Sequence, residues 1–110
     1  MDKLAALDAL SALGQETRLE TFRLLVKAGS DGMAAGDIAL HLGTVQNTMS
    51  AHLKILDHAG LVRAERHGRS IRYFADYTGV RDLLAFLMED CCNGAPELCQ
   101  PVIDAITCKC

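Results

Sequence analysis

The spacing of the apolar residues changes abruptly at Leu61. In the preceding stretch "TVQNTMSAHLKILDHAG", Met49, Leu53 and Leu56 recur at helical intervals, and Gly60 follows as the helix stop. In the next stretch, "LVRAERHGRSIRYFAD", apolar and charged residues alternate on either side of "HGR". That alternation predicts two short strands joined by a glycine turn. The sequence therefore predicts a helix that runs directly into a β-hairpin.

Helical periodicity predicts three helices before this one and one after the hairpin. The first carries a leucine stripe, the second ends at Gly29, and the short third ends at Gly43. The expected apolar faces are Leu4, Leu7 and Leu10, then Leu19, Phe22 and Val26, then Ile38 and Leu42, and finally Val80, Leu83, Leu84 and Leu87. The stretch "SDGM" is expected to be a loop. The fold class is mainly α with a small β-hairpin (α+β), one domain over residues 1–110 with a cysteine-rich tail from about 91 to 110.

The two helices before the hairpin have the layout of a helix-turn-helix, whose second helix can enter a DNA major groove. If the three apolar residues of the second helix face the core, Gln46, Asn47, Ser50 and Lys54 fall on the opposite side. Amides can pair with adenine, Ser can bond either base type, and Lys suits a phosphate. An ordinary amphipathic helix with a polar outer face has the same pattern.

Positive charge is concentrated in the middle of the chain. Residues 1–43 carry a net charge of −2, residues 44–74 carry +3 and residues 75–110 carry −4. A solvated surface accounts for this charge as well as a polyanion site does. The predicted hairpin, however, places Arg66, Arg69 and Arg72 around Gly68. A basic hairpin beside a recognition helix can grip the DNA backbone or minor groove, with strong salt dependence.

The start of the chain and its cysteine usage indicate a reducing compartment. "MDKLAALDAL" has neither a long apolar segment nor a small-residue cleavage site, so we expect a cytoplasmic protein without a membrane span. Five cysteines are an odd count and a poor basis for a disulfide framework.

Three segments, "ETRLETFRLL", "HLGTVQNTMSAHLKILDHAGLV" and "RHGRSIRYF", resemble those of the ArsR/SmtB family of winged-helix metal-responsive repressors. The resemblance covers residues 4 to about 90. It implies a repressor rather than an enzyme, and a homodimer whose first and last helices pair across the two-fold axis. It also implies an imperfectly palindromic operator, read by recognition helices about 34–36 Å apart. The DNA-reading helix would carry Gln46, Asn47, Thr48, Ser50 and His52, although His52 suits a packing and backbone-bonding role equally well.

Two effector sites of the family are missing from this sequence. The positions of the third-helix cysteines of arsenic repressors are occupied by Ala34, Gly36 and Ala39, and the last helix, "VRDLLAFLMED", has no His for a zinc site. The tail "EDCCNGAPELCQ" resembles the "CC-x-G…C" tail of a smaller group of arsenite-responsive members. That resemblance implies a ligand set, which is Cys91, Cys92 and Cys99.

The chemistry of the tail supports such a ligand set. Arsenite and antimonite are soft and take three thiolates. Adjacent helical cysteines diverge by about 100°, but Gly94 can end the helix and Pro96 can stiffen a turn that returns Cys99 to the pair. Zinc wants four ligands, and Cys108 and Cys110 could complete such a set, so a zinc or cadmium site stays open.

Other interpretations of the cysteines stay open. A disulfide redox switch is possible, but Glu89 and Asp90 at a helix C-terminus disfavour thiolates. A thiol enzyme lacks a His within the tail, and a metal-storage protein would not need the DNA-reading block. "CKC" could form a second soft-ion site, deliver arsenic to the first, or lie disordered. The alternatives are therefore a zinc-, cadmium- or redox-responsive repressor and, less favoured, a thiol enzyme or storage protein.

Overall fold

Helices dominate the computed structural model, which describes residues 1–89 and 94–106. The helices are α1 (Lys3–Leu13), α2 (Glu16–Ala28), α3 (Ala35–Leu42), α4 (Gln46–His58), α5 (Tyr77–Leu87) and α6 (Gln100–Ile106), and the strands are β1 (Met33–Ala34), β2 (Val62–His67) and β3 (Ser70–Ala75). Short 3₁₀ turns cover Gly29–Asp31 and Pro96–Leu98. The predicted fold class is confirmed.

Glycines end the helices where the sequence predicts it. Gly43 takes the left-handed conformation directly after α3, with φ of 67°, and its amide closes the last turn. Gly60 does the same just beyond α4, with φ of 80°. Only a residue without Cβ adopts this conformation at little cost, so the turn between α3 and α4 stays tight.

The predicted β-hairpin forms, and its register runs from Val62 opposite Ala75 to His67 opposite Ser70. Unlike the prediction, "SDGM" is not all loop, because Met33 begins a strand that pairs antiparallel with β3 and completes a three-stranded sheet in the order β1–β3–β2. A strand of two residues cannot show an alternating pattern, so no periodic signal marks it in the sequence.

The core forms around α4. Met49, Leu53 and Leu56 are fully buried, as predicted. They belong to a core cluster to which α1, α2, α3, α5 and the hairpin also contribute. Among the described residues, the other large apolar side chains that are fully buried are Leu25, Ile38, Leu61 and Val62. Each such side chain removed from water stabilises the fold by about 1.5–3 kcal/mol.

The leucine stripe of α1 lies on the outside of the molecule. Ala6, Ala9 and Ala12 form the buried face instead, and Leu4 remains 72% exposed. The same holds for part of the other predicted apolar faces. The side chains exposed in this way are Leu7 and Leu10 of α1, Leu19 and Val26 of α2, and Leu84 and Leu87 of α5. Several apolar side chains of α1 and α5 are therefore left in contact with water in the single subunit.

The helix α5 stops earlier than "YTGVRDLLAFLMEDCC" predicts. Its last residue is Leu87, and Met88 follows as its C-cap. Further along, Gly94 has a positive φ of 82°, the left-handed conformation expected of it. Pro96 opens a 3₁₀ turn, after which Cys99 leads into α6, a helix that was not predicted from the sequence.

The start of α5 rests on the turn that follows α4. The amide of Asp76 donates to the carbonyl of Leu61 at 2.9 Å. A Cβ added at Gly79 would lie only 1.8 Å from the carbonyl oxygen of Gly60. The two backbones can approach this closely only because Gly79 has no side chain.

Replacing Gly79 by Ala is therefore expected to destabilise the fold by about 2 kcal/mol, since the added methyl collides with backbone that cannot move aside. Urea unfolding followed by circular dichroism measures the change. Gly36→Ala is the matched control, because a Cβ there meets only the Gln46 side chain at 3.9 Å. That control should be neutral or stabilising by up to about 1 kcal/mol. Equal effects of the two substitutions would contradict the prediction.

Candidate nucleic-acid interface

The outward face of α4 carries the predicted DNA-reading side chains. Gln46, Asn47, Thr48, Ser50 and Lys54 are all exposed, while the opposite face is fully buried. Burial of one face thus fixes the direction of the other, as the sequence pattern predicted.

A cleft of about 350 Å³ lies between the start of α4 and the hairpin. Gln46 and Ser50 line it from the helix, and Arg69 lines it from the hairpin turn. Ala34 and Gly36 form part of its floor, where small residues leave room. The structure therefore brings together an amide, a hydroxyl and a guanidinium that are up to 23 residues apart in the chain. The other predicted contacts, Asn47, Thr48, Lys54 and Arg66, do not line this cleft.

The arginines of the hairpin have different environments. Arg66 and Arg69 are exposed, and neither makes an ion pair with another described residue. Arg72 is half-buried, and its guanidinium donates to the carbonyls of Asp31 and Gly32 at 3.0 Å each. Arg72 thereby fastens β3 to the loop before β1, which is a structural task that the charge pattern of the sequence does not reveal.

A fourth arginine of the hairpin, Arg63, stabilises β2. Its guanidinium lies over the Phe74 ring, 4.6 Å from the centroid, and it pairs with Glu65. A cation above an aromatic face contributes about 0.5–1 kcal/mol at exposed sites. Glu65, which does not line the cleft, is thereby held beside a cation.

His52 is half-buried and does not line the cleft. Its Nδ1 lies 3.4 Å from a guanidinium nitrogen of Arg18, whose Nε donates to the carbonyl of Ala12 at 2.7 Å. Burial, and then the charge of Arg18, lower the pKa of His52 below its ordinary value of 6.5. A neutral His52 accepts the hydrogen bond from Arg18, so the pair ties α4 to α2, and Arg18 in turn ties α2 to α1 through the carbonyl of Ala12. No local pattern could have shown this contact, because Arg18 lies 34 residues away.

Four of the five cysteines, Cys91, Cys92, Cys108 and Cys110, lie outside the described residues. Cys99 is 6% exposed and disulfide-bonded. Across residues 1–89 and 94–106, no three His, Cys, Asp or Glu side chains gather closely enough to hold a metal ion. The three-cysteine site therefore stays a prediction. Over the same residues, no helix is long and apolar enough to cross a membrane.

Comparisons with known proteins agree with this geometry. A helix-turn-helix domain family matches residues 13–65. The chain is 34% identical over 84 residues to a Halobacterium salinarum protein named as a candidate arsenical resistance operon repressor, covering 76% of this chain and 68% of the relative. It is 31% identical over 91 residues to the transcriptional repressor SdpR of Bacillus subtilis, covering 83% and 98%.

A solved structure with the same architecture is the homodimeric winged helix-turn-helix DNA-binding domain of a possible ArsR-family regulator from Mycobacterium bovis. It superimposes with a TM-score of 0.65 at 28% identity, covering 91% of this chain and 79% of the other. The chain belongs to the ArsR family. Members of this family are DNA-binding transcriptional regulators, and α3 and α4 here are the helix-turn-helix, with β2 and β3 as the wing.

The two wing arginines with different surroundings should respond differently to removal. Arg69→Ala is expected to weaken DNA binding about tenfold and to leave stability unchanged. It should also make the slope of log K against log[salt] shallower by about 0.9 for each phosphate that the protein no longer neutralises. Arg72→Ala should instead lower the free energy of unfolding by about 1–2 kcal/mol, because two carbonyls are deprived of a charged donor. Anisotropy titrations at several salt concentrations and urea unfolding measure the two effects. A stable Arg72→Ala protein with a reduced salt dependence would show that Arg72 contacts the DNA after all.

The lowered pKa of His52 predicts a dependence of stability on pH. In the unfolded chain His52 takes up a proton near pH 6.5, whereas in the folded protein it does so only at lower pH. Acidification below about pH 6.5 therefore favours the unfolded state, and stability should fall as the pH decreases towards the folded pKa. Unfolding at pH 7.5 and pH 5.5 should show a larger loss in the wild type than in His52→Gln. The same loss in both proteins would assign the effect to other groups.

Proposed function

We propose that this chain is a cytoplasmic homodimeric repressor that releases an imperfectly palindromic operator when arsenite or antimonite binds Cys91, Cys92 and Cys99. The observation that carries the DNA-binding half is the cleft in which Gln46 and Ser50 meet Arg69. A recognition helix and a basic wing share this surface, so base contacts and backbone contacts can be made together.

The exposed leucines support the homodimer. Leu4, Leu7 and Leu10 on α1 and Leu84 and Leu87 on α5 present apolar surface that a lone subunit leaves in water. The first and last helices of the winged core pair across a two-fold axis in this proposal, and the Mycobacterium bovis domain is described as homodimeric. Two recognition helices held by such an axis would read half-sites about one DNA turn apart.

The surroundings of Cys99 support the inducer site. Its carbonyl accepts the amides of Val102 and Ile103 at 3.0 and 3.1 Å, so the residue is held at the start of α6. Cys99 is disulfide-bonded, so its sulfur has to be reduced to a thiol before it can serve as one of the three thiolates of an arsenic site. The relative from Halobacterium salinarum, named as a candidate arsenical resistance operon repressor, agrees with this choice.

The helix α5 connects the two sites. Cys91 and Cys92 follow it in sequence, and its first turn packs on Gly60 and Leu61, directly after the recognition helix. In our proposal, the bound inducer pins the end of α5 and the tail, and so changes the angle between the two reading heads. Coupled sites commonly exchange about 1–3 kcal/mol, and a near-complete switch needs about 5.5 kcal/mol.

A thiol-redox repressor is the second candidate, favoured by the disulfide at Cys99. In that case two thiols lose two electrons and two protons to an oxidant, and the new bond replaces the inducer in pinning the tail. A zinc- or cadmium-responsive repressor would instead need at least one of Cys108 and Cys110 to complete four ligands. All three candidates share the same operator-binding surface and differ only in the signal.

Anisotropy of the reduced protein on its own upstream promoter fragment tests the proposal. Arsenite, zinc, cadmium and diamide are titrated in separately. We expect release by arsenite, and at least a tenfold weaker response when Cys91, Cys92 or Cys99 is replaced by Ser, with DNA binding retained. The matched control is the Cys108→Ser/Cys110→Ser double variant, which should respond like the wild type.

Each other outcome identifies a different signal. Release by diamide and recovery with a dithiol, without a response to arsenite, would assign redox sensing. Release by zinc or cadmium alone, abolished in the double control variant, would assign a four-cysteine metal site. Binding of several ions per chain without any DNA binding would favour a storage protein.

A further inference from the structure

Val45 is an unexpected residue type for its position. It is the N-cap of α4, with φ of −64° and ψ of 138°, and its side chain makes no capping hydrogen bond. Ser, Thr, Asp and Asn are the residues that stabilise an N-cap, and a β-branched apolar residue cannot do so. The side chains of Asp2, Gln15 and Asp76 cap α1, α2 and α5, whereas α3, like α4, begins at an apolar N-cap, Ala34, without a capping hydrogen bond.

The side chain of Val45 also lies in water. It is 71% exposed and is followed by the exposed polar residues Gln46, Asn47 and Thr48. A single exposed apolar residue needs no explanation by itself. Here, however, the chain gives up both a cap and burial at the end of the helix whose N-terminal residues contact base edges. Departures from local preference are found mainly where function requires them.

We propose that Val45 reads a thymine in each operator half-site through apolar contact with its 5-methyl group. Thymine is the one base that presents a methyl group in the major groove, and a side chain without hydrogen-bonding atoms can recognise it there. Val45 directly precedes Gln46, which shares the cleft with Ser50 and Arg69. The helix therefore presents an apolar contact next to its hydrogen-bonding contacts. The inference rests on the operator binding proposed above but not on the identity of the inducer.

A second copy of the chain does not account for the exposure of Val45. The apolar surface that suits a second subunit lies on α1 and α5, where several leucines are exposed together. Val45 instead borders the polar face of α4, and an apolar residue set among hydrogen-bonding groups suits a DNA groove better than a dimer interface.

The test removes the methyl group from the DNA and, separately, the valine from the protein. Duplexes selected by the wild-type protein from a randomised pool are synthesised again with single thymines replaced by uracil, symmetrically in both half-sites. At one position, loss of the methyl group should weaken wild-type binding about fourfold per half-site, or about sixteenfold for the homodimer. Salt is held constant throughout, because the backbone contacts depend strongly on it.

If the proposal holds, Val45→Ser lowers the affinity for the thymine duplex and raises the thermal stability of the protein. The variant should bind the thymine and uracil duplexes equally, and weaker than the wild type binds thymine. Its midpoint of thermal unfolding should rise by about 4 °C, because Ser restores the missing N-cap. A purely structural role for Val45 does not predict a more stable protein without a preference for a methyl group.

Leu40→Gln is the matched control. Leu40 is 83% exposed on α3, the helix of the pair that crosses the DNA backbone. This variant loses an even more exposed apolar side chain and should keep the sixteenfold preference for thymine.

Three results would overturn the inference. The first is a selected half-site that contains no thymine. The second is a Val45→Ser protein that keeps the wild-type preference for thymine over uracil. The third is a Val45→Ser protein that sediments as a monomer. If the wild type selects no DNA, the proposed operator binding fails and this inference fails with it. An unchanged preference in Val45→Ser contradicts only the reading of thymine.

Discussion

The burial of one face of α4 is the constraint on which the rest of the structure depends. Met49, Leu53 and Leu56 anchor the helix in the core, and the rotation about its axis is thereby fixed. Because side chains on an α-helix advance by about 100° per residue, this rotation also fixes Gln46 and Ser50 on the outside. Core packing and DNA reading are therefore two results of a single amphipathic pattern. A change in the anchoring face would turn the reading face as well.

The sequence predicted the elements whose signals are local. The amphipathic period of α4, the stops at Gly43 and Gly60 and the alternation of the hairpin all depend on neighbouring residues, and all are confirmed. The two-residue strand β1 was not predicted because it is too short to show a period. The helix α6 was not predicted because it lies within the expected cysteine-rich tail. Which apolar stripe of α1 faces inward was also beyond the pattern, since alanines and leucines both recur at helical spacing.

In the candidate site, too, the features that depend on neighbouring residues could be predicted, and those that depend on distant contacts could not. The outward polar residues of α4 could be predicted from one helix, whereas their meeting with Arg69 depends on how the wing folds back. The task of Arg72 at the loop carbonyls and that of Arg18 at His52 depend on contacts across 34 or more residues. Such contacts leave no periodic trace in a single sequence. Charge counting alone treats all the arginines of the wing as equivalent, and the structure shows that they are not.

The alanine face of α1 has a consequence for how the protein behaves when it is scarce. Ala6, Ala9 and Ala12 bury little area, so α1 gains little free energy from its own subunit, and Leu4, Leu7 and Leu10 remain exposed on it. In the proposed homodimer, the folding of this helix is coupled by mass action to the amount of protein present. A cell that makes few copies would then hold subunits with a loosened first helix, open to degradation. Abundance would control the lifetime of the regulator before any inducer arrives.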